Sequence, residues 1–144
     1  MAFHKELRLW GSVTALVLLS ILVSCCVYFR SGTTAIGDFV SPDGKWDALL
    51  MVRNGGATTS YATAISMVSA DHSLSRQVAL FRSGNLFVID DNDGAVRVGD
   101  LGQIDVKLNW VSSTQLVITY PQNVHVYKQE SGFPSVTVKY VPVP

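Results

Sequence analysis

Three histidines are the side chains of this sequence best suited to acid–base catalysis near neutral pH: His4, His72 and His125. A catalytic histidine needs an orienting partner and a nucleophile within hydrogen-bond distance. The sequence contains no Gly-x-Ser-x-Gly element and no His-x-x-x-His spacing. We therefore predict that the chain is not an enzyme, that it has no catalytic residue, and that the histidines lie at the surface. An envelope hydrolase that uses a serine with His72 or His125 is the alternative.

Several aspartates lie close to a turn that contains Gly94, namely Asp90, Asp91, Asp93 and Asp100. Calcium prefers carboxylate and carbonyl oxygens from one tight loop. The register does not fit the EF-hand loop, because counting back from Gly94 places Ile89 at the first ligand position. The cluster therefore predicts a solvated hairpin turn, with no metal site and no cofactor.

Residues 55–60 (GGATTS) combine two glycines with three hydroxyl side chains. Such a stretch could offer backbone amides and hydroxyls to an anion or to a peptide carboxylate. Phosphate-binding loops need a following helix and usually a lysine, whereas a strand pattern follows here. We predict a tight turn whose threonine hydroxyls satisfy neighbouring backbone groups. The alternative is a recognition loop made by Gly55, Gly56, Thr58 and Thr59.

The N-terminal part of the chain has the composition of a membrane anchor. Residues 11–29 contain no charged side chain, and a helix of that length spans ~28 Å, close to the hydrocarbon core of a bilayer. Lys5 and Arg8 precede this run and Arg30 follows it, which places the N-terminus on the cytoplasmic side. Residues 1–30 are therefore a predicted anchor, and the remainder is predicted to be extracytoplasmic, in the periplasm or at the cell surface.

A second kind of anchor is also compatible with this segment. Leu22-Val23-Ser24-Cys25 resembles the lipobox of bacterial lipoproteins, a family in which the cysteine is acylated and the signal peptide is removed. The resemblance implies that Cys25 is the lipidated residue. The apolar run continues to Phe29, however, whereas a lipoprotein usually becomes polar directly after its cysteine. A spanning helix and a lipidated Cys25 both remain open.

The rest of the sequence has a β pattern. Residues 31–40 are small and polar and predict a short tether, and residues 41–144 predict one extracytoplasmic β-domain. Alternation is strictest from Ile104 to Trp110, where every second residue is apolar. The predicted strands are 46–53, 61–68, 78–81, 85–90, 95–98, 104–111, 114–120, 124–127 and 135–141. Short strands separated by turns every 8–12 residues predict a small antiparallel sandwich-like domain.

Composition limits the classes of partner. Eleven lysines and arginines balance eleven aspartates and glutamates, so no basic face for nucleic acid is expected. Both cysteines lie in the predicted anchor, so the β-domain has to be stable without a disulfide. We therefore predict a membrane and another envelope protein as partners, and no nucleic acid.

Three motifs together resemble a known group of proteins. They are Ser41-Pro42-Asp43-Gly44-Lys45, the stretch 55–63 (GGATTSYAT), and the late pattern of Trp110, Leu116, Ile118 and Tyr120. The combination is similar to an uncharacterised family of small bacterial membrane-anchored or lipoprotein-like β-domain proteins. The resemblance implies a bacterial envelope protein and implies no activity. The functional hypothesis is a non-enzymatic binding module that uses a sheet edge or a loop face, with a periplasmic immunity-type protein as a variant.

Overall fold

The structure is a computed structural model, which describes residues 32–55, 60–70 and 84–144. The described part is mainly β and contains no helix. The predicted anchor at 1–30 and the predicted strand at 78–81 lie outside the described residues. The strands are β1 (Thr33–Val40), β2 (Trp46–Asn54), β3 (Tyr61–Ser69), β4 (Phe87–Asp90), β5 (Lys107–Ser112), β6 (Gln115–Pro121), β7 (His125–Gln129), β8 (Gly132–Phe133) and β9 (Val136–Val143).

These strands form two sheets that are mostly antiparallel. The first sheet has five strands in the order β1-β2-β3-β4-β7, and the second has four in the order β5-β6-β9-β8. β6 and β9 pair in parallel, which differs from the predicted antiparallel arrangement. The reason is the path of the connection: residues 122–135 cross to the first sheet as β7 and return through β8, so β9 enters beside β6 in the same direction.

One hydrophobic core forms from residues of both sheets. The predicted alternation is confirmed, because Ile104, Val106 and Leu108 are buried while the residues between them are exposed. The ring of Phe87 lies 5.0 Å from the rings of both Tyr120 and Tyr140, measured between centroids. The core cluster consists of Ala48, Leu50, Ile65, Met67, Leu86, Phe87, Ile89, Ile104, Val106, Leu108, Leu116, Ile118, Tyr120, Val136 and Val138.

The five-stranded sheet is buried on both faces at its centre. Side chains of neighbouring residues on a strand point to opposite faces, and β2 buries every residue from Asp47 to Val52. Leu49 and Met51 pack with Val68 in a second cluster, separate from the main core. The face that carries this second cluster is called the outer face below.

Residues 33–40 form an edge strand, so the predicted tether at 31–40 is corrected for these positions. β1 pairs with β2 from Thr33 to Val40, with one extra residue, Ile36, in a bulge. The sequence obscured this strand because Gly37 and the small residues around it lower its hydrophobicity, and the bulge interrupts its alternation. The edge is held by the indole N–H of Trp110, which donates to the carbonyl oxygen of Phe39 over 2.8 Å.

The SPDGK motif forms the turn from β1 to β2. The hydroxyl of Ser41 donates to Asp43 Oδ1 over 2.7 Å and accepts the N–H of Trp46 over 3.0 Å. The Ser41 hydrogen bond is the main reason that the pKa of Asp43 lies below its usual value. Gly44 adopts φ +71°, which a side chain would disfavour. The turn leads into β2, an interior strand of the five-stranded sheet.

Three predicted strand segments are shorter in the structure, and the one predicted at 104–111 begins only at Lys107, as β5. Residues 95–98 contribute only one isolated bridge, between Val98 and Ile104. β4 begins at Phe87, because beside β3 the side chain of Asn85 takes the place of the main chain. The Asn85 Oδ1 accepts the N–H of Met67 over 2.7 Å, and the Asn85 Nδ2 donates to the Met67 carbonyl over 2.8 Å. A side-chain amide thus extends the hydrogen-bond ladder.

Thr63 attaches the segment before β5 to the five-stranded sheet. Its hydroxyl accepts the backbone N–H of Ile104 over 2.8 Å, and Thr63 is only 1% exposed. A buried N–H that loses its partner retains its full desolvation cost.

We expect Thr63→Val to lower the free energy of unfolding by about 1–3 kcal/mol, because the N–H of Ile104 would then be buried without an acceptor. Urea unfolding followed by circular dichroism measures the change. Thr137→Val is the matched control, since Thr137 is exposed on β9, and a shift within about 0.5 kcal/mol is expected there. Equal losses in both variants would contradict the role of the Thr63 hydroxyl.

Candidate functional site

A row of side chains crosses the outer face of the five-stranded sheet near one end. Arg53, Ala62, Asp90 and His125 are successive Cα partners on β2, β3, β4 and β7. Residues paired in this way project from the same face of a sheet. The next row along the same face contains Met51, Ala64, Val88 and Lys128. The sheet therefore places two cations and a carboxylate around small residues.

A bulge in β7 adds a phenol to this face. Val88 pairs with Lys128 and Ile89 pairs with Val126, so Tyr127 is an extra residue in the edge strand. The Tyr127 hydroxyl donates to Asp90 Oδ2, although the side chain is 60% exposed. The ring also packs against His125, with 4.4 Å between ring centroids. The Tyr127 ring is thus fixed in position while remaining open to solvent.

Several of these residues border a cleft of about 590 Å³. Its floor is made by small residues, among them Ala62, Gly84 and Val88, whereas its walls carry charges. A methyl group added at Gly84 would lie 2.2 Å from Val88 Cγ2, so the backbone approaches this floor closely. The cleft is lined by Arg53, Gly55, Ser60, Ala62, Gly84, Val88, Asp90, Asp93, Tyr127 and Lys128.

The carboxylate of Asp90 is the negatively charged group around which the polar side chains of β4 and β7 are arranged. Besides the Tyr127 hydroxyl, this carboxylate accepts the N–H of Asn92 over 2.9 Å, and His125 Nδ1 lies 3.9 Å from Oδ1. The hydrogen bond to Asp90 is the first cause of a raised pKa of Tyr127, because a neighbouring carboxylate disfavours the phenolate.

The aspartate-rich segment forms the turn after β4. Asn92 and Asp93 have φ values of 51° and 55°, and Gly94 follows at 85°. These left-handed conformations favour Asn, Asp and Gly, which explains the composition of the turn. Within the described residues, no group of three or more His, Cys, Asp or Glu side chains is arranged to hold a metal ion.

The structure places some of the predicted site residues and not others. Gly55 lies at the border of the cleft, as does Ser60. Gly56, Thr58 and Thr59 of the predicted recognition loop, like Cys25, lie outside the described residues. So do His4 and His72, whereas His125 lies exposed beside Asp90.

Arg53, Tyr127 and Lys128 were not identified from the sequence. In the sequence pattern Arg53 is only the last residue of a predicted strand. Regular alternation assigns the neighbouring residues Tyr127 and Lys128 to opposite faces, and only the bulge at Tyr127 brings both to the outer face. The balanced charge of the whole chain also gave no sign of a local pair of cations.

The strands at the sheet edges have features that discourage pairing with another chain. β1, β5 and β7 each end a sheet, and each carries one extra residue: Ile36, Val111 and Tyr127. Bulges twist an edge strand and disrupt its ladder, which is a common protection against edge-to-edge association. At the remaining edge β8 is only two residues long. These edges are therefore poor sites for the addition of a strand from another chain.

No family model, curated protein or solved structure matches this chain. The part of the chain that the structure describes contains no helix long and apolar enough to cross a membrane.

We expect Asp90→Asn to lower the pKa of Tyr127 towards its ordinary value near 10, because the substitution removes the negative charge that opposes the phenolate. NMR titration of labelled tyrosine carbons measures the shift. Asp105→Asn on the exposed side of the segment before β5 is the control and should leave this pKa unchanged.

The same coupling has a consequence for stability at alkaline pH. The pKa of Tyr127 is higher in the folded state than in the unfolded state, so its stabilising contribution is complete below about pH 10. The contribution is lost as the pH rises through the folded-state pKa. Tyr127→Phe should abolish this part of the pH dependence, and an unchanged alkaline profile would contradict the assignment.

Proposed function

We propose that this chain is a membrane-anchored protein of the bacterial envelope whose β-domain is a non-enzymatic binding module. In this proposal the domain lies outside the cytoplasm and binds another envelope protein through the outer-face cleft. The observation that carries the proposal is the arrangement of Arg53, Tyr127 and Lys128 around a floor of small residues. Exposed aromatic and arginine side chains beside a concavity are characteristic of binding hot spots.

Membrane attachment is inferred from the uncharged run at 11–29 and from the motif resemblance described above. A spanning helix and an acylated Cys25 are the two forms that the anchor can take. Both place residues 31–144, which form one compact unit, on the extracytoplasmic side.

Two features favour the cleft over the other surfaces of the domain. The bulges in β1, β5 and β7 weaken these edges as sites for an added strand. The Tyr127 ring, by contrast, is already held by Asp90 and His125, so little side-chain freedom is lost when a partner binds to it.

Binding also accounts for His125 better than hydrolysis does. The contacts of His125 in the described part of the chain are to Asp90 and Tyr127, and neither supplies a serine hydroxyl. The Asp90 carboxylate is already bonded to Tyr127 and Asn92, which leaves it poorly placed to orient the imidazole of a catalytic triad.

A photo-crosslinking amino acid at Tyr127 should capture one stoichiometric partner in intact membranes, because the cleft is the proposed contact surface. The same amino acid at Lys107, which is exposed on the four-stranded sheet, is the matched control and should capture none. Immunoblotting and mass spectrometry identify the products. Capture at Lys107 with none at Tyr127 would move the interface to the opposite sheet and contradict the proposal.

The full-length chain should remain in the membrane fraction after carbonate extraction, because the anchor is embedded in lipid. A reporter fused after Pro144 should be active only outside the cytoplasm. Release by carbonate, or a reporter active in the cytosol, would contradict the proposed location.

Metabolic labelling with palmitate then separates the two forms of anchor. Label that is present in the wild type and in Cys26→Ser but lost in Cys25→Ser identifies a lipoprotein. A wild-type chain that stays unlabelled while resisting carbonate has a spanning helix.

A further inference from the structure

The β-domain begins almost directly after the predicted anchor. The carbonyl oxygen of Gly32, the residue before β1, accepts the N–H of Asn54 at the end of β2 over 2.9 Å. The uncharged run ends at residue 29, and the chain from Arg30 to Gly32 can span at most about 7 Å. From an acylated Cys25 to Gly32 the limit is about 25 Å. The end of the five-stranded sheet that contains Gly32 and Asn54, called the attached end below, therefore has a short connection to the anchor.

The turn that contains Leu101 lies at this attached end. A methyl group added at Gly102 would lie 2.4 Å from Tyr61 Cγ, so the turn packs closely against the Tyr61 ring. Tyr61 is in turn the Cα partner of Asn54, whose N–H binds Gly32. This series of contacts brings Leu101 close to the point where the chain enters the domain.

Large apolar side chains are exposed at the attached end. Leu101 is 56% exposed and Tyr61 is 45% exposed. Val98, which is 39% exposed, pairs with Ile104, and the N–H of Ile104 binds Thr63 on β3, two residues after Tyr61. Single exposed apolar residues are ordinary on a protein surface, whereas a group of them indicates an interaction surface.

The chemistry of this group fits the surface of a lipid bilayer. The region carries cations, among them Arg53 and Arg97, and also carboxylates, among them Asp90 and Asp100, so charge favours neither an anionic nor a cationic occupant. Tyrosine is favoured at the level of the lipid headgroups, because its ring is apolar while its hydroxyl remains hydrated. The short connection to the anchor keeps these side chains close to such a surface.

We propose that the attached end is a second membrane contact, in which Tyr61, Val98 and Leu101 lie against the headgroup layer that the anchor enters. This inference rests on the proposed membrane anchor and adds a lipid-binding surface on the β-domain itself. Arg53 of the cleft is the Cα partner of Thr33 at the start of β1. A protein bound at the cleft therefore meets the domain close to the bilayer.

The test is fluorescence quenching of the full-length chain in phosphatidylcholine vesicles, in which some lipids carry a nitroxide on the headgroup. A genetically encoded fluorescent amino acid replaces Leu101 in one variant and Val40 in another, so both cysteines and either form of anchor are retained. Val40 is the matched control, because it is 54% exposed and lies at the far end of β1, about 23 Å from Thr33. Quenching at position 101 should exceed quenching at position 40 by about twofold or more.

A substitution distinguishes lipid contact from mere proximity to the bilayer. With the fluorescent amino acid at Val98, Leu101→Asp should lower the quenching by about twofold, because a charged side chain opposes entry into the apolar part of the interface. Val111→Asp is the control and should leave the quenching unchanged. Val111 is 58% exposed and follows Trp110, which binds Phe39 near the far end of β1. Both substituted side chains are exposed, so the variants are expected to fold.

Flotation of the same vesicles decides the proposed anchor separately. A chain that floats with the vesicles but is quenched equally at positions 101 and 40, or more strongly at position 40, would overturn the lipid contact and leave the anchor in place. Quenching at Val98 that persists in Leu101→Asp would also overturn the contact. A chain that does not float would overturn the anchor, and this inference with it.

Discussion

The strand alternation of β4 is the constraint on which both the core and the cleft depend. Phe87 and Ile89 are completely buried in the main core, so the residues between and after them, Val88 and Asp90, must project from the outer face. A shift of one residue in the pairing with β3 would move Asp90 into the core and Phe87 to the outer face. The hydrophobic effect therefore positions the carboxylate that holds Tyr127, although neither residue contributes to the core.

Several parts of this architecture follow directly from the sequence. The strict alternation from Ile104 to Trp110 predicts its buried face correctly, because apolar side chains at every second position have only one face to occupy. The SPDGK turn is equally predictable, since Pro and Gly limit the backbone to few conformations. Both signals are local, and a local signal can be read without knowledge of which strands become neighbours.

The remaining parts depend on pairing between distant segments. The parallel contact of β6 with β9 arises from the excursion of the chain into the other sheet, and no short pattern encodes this path. The cleft depends on the register of β2, β3, β4 and β7 together. Arg53 and Tyr127 are separated by a long stretch of sequence, and only the assembled sheet brings them to one face. Gly55 could be singled out beforehand because its neighbours are unusual in composition.

The bulge in β7 also determines how this surface could be lost or gained in related sequences. Tyr127 is the extra residue of the strand, opposite no residue of its own on β4. Deleting that single codon would restore a regular ladder, since Val126 and Lys128 would become consecutive partners of Ile89 and Val88. Such a protein would retain its sheets and its interior, and it would lack the phenol. A one-residue gap in an alignment at this position would therefore mark the loss of this phenol from the cleft within an unchanged fold.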